Sequence, residues 1–285
     1  MSGRHALFSV AALWASGLAS GWTIAATPPP PGLDPAGLKA WAQYQKEPAH
    51  RAFAIAPGGQ WGWRSGLADT EQASDEALAA CQQENEQPCL SYDLNGRKLL
   101  TSARWEQALA PYPATLPDAA TQVGTRRAQR FPDLRLQTPE GSPVPLAQAG
   151  SHITVLHFWG SWCPPCVKEL PNLELAQKQL AKDREIRFVV VPLRESMATS
   201  QAWLKSRKLR LQLTLAETAS ATTLRLRDGK ILPDRQVAPV FPTTYLLDGR
   251  GTVLFVQHGP IHDWASLLPI LRHAARHANQ NTAHP

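Results

Sequence analysis

Two styles of apolar patterning follow one another along the chain. Up to about residue 110 the apolar runs are short and interrupted. "GLKAWAQYQ" (37–45) reads as a short helix, with Asp34 placed to cap it and Pro35 suited to its first turn. "RAFAIA" (51–56) alternates like a strand, "PGGQ" turns, and "WGWRSG" (61–66) returns. "DTEQASDEALAACQQE" (69–84) predicts a helix with an Asp/Thr start and an acidic first turn. "CLSYDL", then Asn95-Gly96, then "RKLL" predicts a hairpin, because Asn-Gly supplies the positive φ angles of a tight turn. These pieces make a small α+β unit.

From about residue 129 the pattern changes. "ITVLHFW" (153–159) and "IRFVVVPL" (186–193) are nearly continuous apolar runs, as expected of strands buried on both faces. Between them lies a helix of about twenty residues, with Val167, Leu170, Leu173 and Leu180 at helical spacing. That is a βαβ unit with parallel strands. "ATSQAWLKSRKL" adds a helix, "TTYLLD", "GRG" and "TVLFVQ" a hairpin, and "DWASLLPILRHAARHA" a closing helix. The order β-α-β-α-β-β-α predicts an α/β fold, a central, mostly parallel sheet with one antiparallel hairpin and helices on both faces.

Proline marks the boundaries. "TPPPPGLDP" (27–35) is a stiff spacer and "PYPATLP" (111–117) suits no element interior. The expected division is a small α+β domain at 35–110, preceded by a Pro-rich spacer at 27–34. A linker at 111–128, an α/β domain at 129–277 and a tail at 278–285 follow. The net charge of +6 hides an asymmetry: residues 1–125 carry a net −3 and residues 126–285 a net +9. Opposite signs fit two domains that dock, a basic half that meets an acidic partner, or simply a solvated basic surface. Residues 1–26 form a short basic start followed by an uncharged, alanine-rich stretch from Ala6 to Ala26. This is either a cleaved secretory signal or an uncleaved anchor; no cysteine follows it, which excludes lipoprotein processing. Both readings place the bulk of the chain outside the cytoplasm, in the periplasm, where disulfides persist.

The four cysteines fall into two pairs. Cys163-Pro-Pro-Cys166 lies just past the strand at 153–159 and opens the next helix. A thiol there meets unpaired backbone N–H groups and the positive end of the helix dipole, so its thiolate is stabilised. Cys163 is the expected nucleophile, and Cys166, one turn inside, is placed to resolve a mixed disulfide. A structural zinc site normally needs four ligands, and Cys81 and Cys89 lie elsewhere, so no metal is expected. Cys81 ends a helix and Cys89 begins the next strand after "QQENEQP", which predicts a structural disulfide in an exported domain. No phosphate loop, Ser-His-Asp pattern or nucleic-acid motif is present, so nucleic acid is not an expected partner.

Residues 131–277 resemble the TlpA/ResA branch of the thioredoxin superfamily, bacterial thiol–disulfide oxidoreductases that are membrane-associated or secreted. The likeness rests on "FPDLRLQTPEGSPVPLAQ", on "FWGSWCPPCVKELP" with Pro171 as the helix-kinking proline, on "FPTTYLLDGRGTVL" and on "HGP" at 258–260. The resemblance implies a thioredoxin-like fold and a redox-active pair without a cofactor. It further implies that Pro242 is a cis-proline whose loop, with Phe241 before it, faces the cysteines and binds substrate. It makes Trp162 the tryptophan beside the reactive thiol and Glu169 the acidic residue near the active site. The implied partners are a client protein with a disulfide or cysteine pair and a membrane-bound electron donor, such as a disulfide-reducing transmembrane protein. Cytochrome c maturation or copper-centre assembly is the implied setting.

Some features depart from that family. His157 stands where many thioredoxins carry a buried aspartate, and "RLRDGKILPDRQVAP" before Phe241 is longer than usual. The front unit is similar to a small bacterial domain marked by "FAIAPGGQWGW" and a later paired cysteine, of no implied activity. Trp61 and Trp63 share one strand face there, as core packing or as a ligand platform. The alternatives to a disulfide reductase are a metallochaperone on the same fold and a partner-binding redox module. The reductase expectation assumes that a charged Glu169 opposes ionisation of Cys163 while the helix N-terminus favours it, leaving a moderately acidic thiol.

Overall fold

The structure is a computed structural model that describes residues 27–83, 85–113, 122–147 and 153–278. The expected signal or anchor at 1–26, residues 114–121 of the expected linker and all but the first residue of the tail lie outside the described residues. Among the described residues no helix is long and apolar enough to cross a membrane.

The front unit forms as its pattern predicts. Asp34 accepts a hydrogen bond from Gly37 N–H (2.7 Å) and starts α1 (Pro35–Tyr44), which turns Trp41 and Tyr44 inward. Strands β1 (Ala52–Ile55) and β2 (Trp61–Arg64) pair antiparallel. Asp69 caps α2 (Thr70–Gln82), and β3 (Leu90–Leu94) and β4 (Arg97–Lys98) form the Asn-Gly hairpin. The sheet order is β2-β1-β3-β4. Helix α2 lies so close to β2 that a Cβ on Gly62 would come within 2.4 Å of Cys81 N, so only glycine fits there. A short helix, α3 (Ser102–Glu106), follows the hairpin, and the sequence pattern did not announce it.

The second unit opens with β5 (Leu136–Gln137) and continues through β6 (Ile153–Trp159), α4 (Pro164–Gln179), β7 (Ile186–Pro192) and α5 (Met197–Ser206). Four short strands come next: β8 (Leu215–Ala216), β9 (Thr218–Ser220), β10 (Thr223–Arg225) and β11 (Ile231–Pro233). The chain closes with β12 (Thr243–Leu247), β13 (Val253–His258) and α6 (Trp264–His277). The main sheet has the order β13-β12-β6-β7. Its β6–β7 pair is parallel, while β12 runs antiparallel to both β6 and β13. The sheet is thus mixed and less parallel than the apolar runs suggest, because burial on both faces produces the same run in either orientation.

The long stretch before Phe241 is more than a loop. Strands β9–β11 make a small sheet, and a 3-10 turn at Asp234–Gln236 buries Val237 and Ala238. Arg194, at the C-terminal end of β7, holds that turn through a two-pronged pair with buried Asp234 (2.6 and 2.8 Å).

The two units share one apolar core that runs from Trp41, Tyr44 and Phe53 through Trp105 and Leu109 to the main sheet. Trp105 Nε1 donates to Ser266 O (2.8 Å), and Tyr112, inside the expected linker, is buried with its hydroxyl 2.6 Å from His273 Nδ1. The carboxamide of Gln87 bonds both backbone groups of Val256 on edge strand β13 (2.5 and 3.4 Å). Glu86 takes the Arg126 guanidinium (3.1 Å) and the Arg127 N–H (2.6 Å), so acidic front and basic rear meet here.

Candidate redox site

Strand β6 ends at Trp159, and four residues later Cys163 caps α4. Cys163 and Cys166 are joined as a disulfide with their Cα atoms 5.3 Å apart, and Cys163 Sγ accepts the Cys166 N–H at 3.2 Å. Pro164 and Pro165 fill the first helical turn, where missing donors cost little. Cys163 keeps slight solvent contact and Cys166 none, which orders the two by access.

Trp162 directly precedes the pair. It is 45% exposed, and its Nε1 donates to Leu193 O (3.0 Å). A Cβ on Gly160 would lie 2.3 Å from that nitrogen, so glycine lets the indole fold back. Phe241 meets Trp162 edge-on at 5.0 Å, and the Phe241–Pro242 peptide bond is cis. Thr243 Oγ1 donates to Val240 O (2.6 Å) and Gly259 N–H to Pro242 O (2.8 Å), which fix the loop. The Arg194 guanidinium lies over both aromatic rings, 5.9 Å from Trp162 and 5.2 Å from Phe241. These contacts bring the cis-proline loop, through Phe241, against Trp162, the residue before Cys163.

Beneath the pair, Glu169 is buried on α4, one turn from Cys166. Its Oε1 accepts from Trp264 Nε1 (2.8 Å), and its Oε2 is buried with no protein partner. Burial pushes its pKa up to about 8, against smaller opposing hydrogen bonds from Trp264 and the Ile261 backbone. The expected negative charge next to Cys163 is therefore corrected: with the disulfide formed, Glu169 is mostly neutral at pH 7. His157 is fully buried, shares Nδ1 with Thr244 Oγ1 (2.9 Å) and faces the Trp264 ring at 6.3 Å. Burial lowers its pKa to about 3, so it is an uncharged neighbour.

Cys81 and Cys89 are joined as a second disulfide in the front unit. Trp61 stacks on Phe53 (6.0 Å) and Trp63 meets Tyr44 edge-on (6.2 Å), so both pack against the front core. Among the described residues no group of three or more histidine, cysteine or carboxylate side chains is arranged to hold a metal. Sequence reasoning missed Trp264 and Arg194. Trp264 is 95 residues from the carboxylate it bonds, so no local signal exists; Arg194 follows a strand's C-terminal end, the place where α/β sheets gather ligand contacts.

The chain is 30% identical over 138 residues to the thioredoxin-like protein YneN of Bacillus subtilis, covering 48% of this chain and 75% of that protein. The chain belongs to the thioredoxin-like family of thiol–disulfide oxidoreductases. A model of the AhpC/TSA family matches residues 128–256. The thiol–disulfide oxidoreductase ResA of the same organism is 28% identical over 142 residues, 48% of this chain and 73% of that one. The crystal structure of StoA from Bacillus subtilis aligns with a TM-score of 0.37 and 24% identity, covering 49% of this chain and 96% of that chain. The front unit precedes the segment that the AhpC/TSA model matches.

Proposed function

We propose that the protein works outside the cytoplasm, in the periplasm, as a reductase of disulfides in a client protein. The observation that carries this is the Cys163–Cys166 pair at the start of α4 with the buried carboxyl of Glu169 one turn further along the helix. In the reduced protein the Cys163 thiolate attacks one sulfur of the client disulfide, and the other client sulfur leaves and takes up a proton. The Cys166 thiol then attacks Cys163 Sγ, its proton passing by way of the Glu169 carboxyl to solvent; the second client sulfur leaves as a thiolate that takes up a proton from solvent, and the resident disulfide closes. A membrane-bound dithiol donor reverses the cycle, and the leaving Cys166 takes up a proton by the same route.

In this reading Trp162, Phe241 and Pro242 receive the client chain, and Cys81–Cys89 is a structural staple. The boundaries proposed are 35–110 for the front domain and 129–277 for the redox domain. The setting proposed is the one the family resemblance implies, cytochrome c maturation or copper-centre assembly. The direction of electron flow rests on how far the Cys163 thiolate is stabilised. Support comes from the helix N-terminus and one N–H, while the nearby Arg194 is committed to Asp234. A moderately acidic thiol makes a reducing couple. Titration against glutathione should give a reducing potential; a value near about −120 mV, typical of strong oxidants, would falsify the reductase direction. Cys166→Ser should hold the client as a mixed disulfide on Cys163, and its loss in Cys163→Ser/Cys166→Ser is the control.

A further inference from the structure

Residues 257–262 lead from β13 into α6 and touch the redox site along one side. His258 is the register partner of Thr243, Gly259 N–H bonds Pro242 O, and the Ile261 backbone reaches Glu169. Their other side forms one wall of a cleft of about 570 Å³, and the opposite wall is the front unit. The cleft therefore starts one strand away from the cis-proline loop, about 5 Å by ordinary sheet spacing.

Its chemistry is unusual for a surface so close to a redox centre. Four carboxamides line it, Gln60, Gln83, Asn85 and Gln257, together with the imidazoles of His258 and His262. Among the described lining residues Asp34 is the only carboxylate, and it is committed to the Gly37 N–H; there is no lysine or arginine. Gln60 Nε2 donates to Gln257 Oε1, while Gln60 Oε1 is buried without a protein partner. Gly58 and Gly59 hold φ values of +94° and +93°, and a Cβ on Gly59 would come within 2.0 Å of Gly32 O. At that point the wall is bare backbone.

Among the described lining residues carboxamides outnumber the one carboxylate, Asp34, which caps α1, and a carboxamide offers both a donor and an acceptor, as a peptide group does. We propose that this cleft is the second half of the client surface, and that an extended, uncharged segment of the client polypeptide passes from the Pro242 loop into it. The front unit then selects clients by what flanks their disulfide, and a low-molecular-weight disulfide never reaches it. The inference rests on reading Cys163–Cys166 as the client-reducing pair.

The test uses the full chain and synthetic peptides that carry one intramolecular disulfide. The peptides have either no tail or an eight-residue tail of Ser, Asn and Gly on the N- or C-terminal side, about 26 Å of extended reach. A tail on one of the two sides should raise kcat/KM about tenfold through KM, roughly 1.4 kcal/mol. Gln83→Trp and, separately, His262→Trp fill the cleft from exposed positions. Each should abolish the tail gain and leave reduction of the tailless peptide unchanged. Tails without effect at either end, or a gain that survives both substitutions, would overturn the proposal. No reduction of the tailless peptide at all would remove the reductase reading and this one with it.

Discussion

Glu169 and His157 sit on the same buried indole, Trp264, and carry opposite pH signatures. The Glu169 carboxyl is raised from 4.5 to about 8, so between those values the folded protein holds a proton that the unfolded chain has lost. Stability therefore falls as pH rises through that window. His157 is lowered from 6.5 to about 3, so below pH 6.5 the unfolded chain takes up a proton that the fold refuses. Stability falls as pH drops through that second window. Each slope is about 1.4 kcal/mol per pH unit, and between 4.5 and 6.5 the two cancel. In the oxidised protein, Glu169→Gln should remove the decline between pH 6.5 and 8 and expose the histidine slope between 4.5 and 6.5. Urea unfolding at stepped pH measures both, and curves that stay parallel to the wild type would refute the assignment.

At the scale of elements, two short segments do more than connect. The 82–89 stretch leaves α2, is closed by Cys81–Cys89, and presents Gln87 and Glu86 to the second unit. Closing such a short loop removes roughly 2–3 kcal/mol of unfolded-state freedom. Cys81→Ser/Cys89→Ser should lower the melting temperature accordingly, and reduction of a tailless disulfide peptide by the folded variant should continue. Loss of that activity in the folded variant would show that the pair takes part in exchange. The other segment, β9–β11 with its 3-10 turn, includes most of the stretch that is longer than usual for the family. Its own alternation is too brief to register as strands, and Asp234 looks like a surface charge until Arg194 is brought to it from forty residues away.

On the scale of the whole molecule, the front unit covers the β13 edge of the main sheet. An uncovered edge invites pairing with other chains, and here Gln87 occupies both backbone groups of Val256. Gln87→Ala should speed hydrogen exchange at the Val256 amide about tenfold while leaving the Tyr245 amide, inside the sheet, unchanged. Equal acceleration at both amides would mean global destabilisation instead of an opened edge.

Periodicity alone placed the two apolar strands, the active-site helix between them, the Asn-Gly hairpin and the closing helix, because burial imposes a period of 3.6 or a continuous run on the residues themselves. Cys163 and Cys166 were equally legible, since three residues and a helix start determine their chemistry locally. The orientation of β12 was not legible, because an apolar run has no direction. The charge of Glu169 was not legible either: its position on α4 follows from spacing, but its neutrality follows from burial under Trp264, 95 residues away. The cleft between the units is of the same kind. Its carboxamides are scattered from residue 60 to residue 257, and only the docking of two separately patterned halves brings them to face each other.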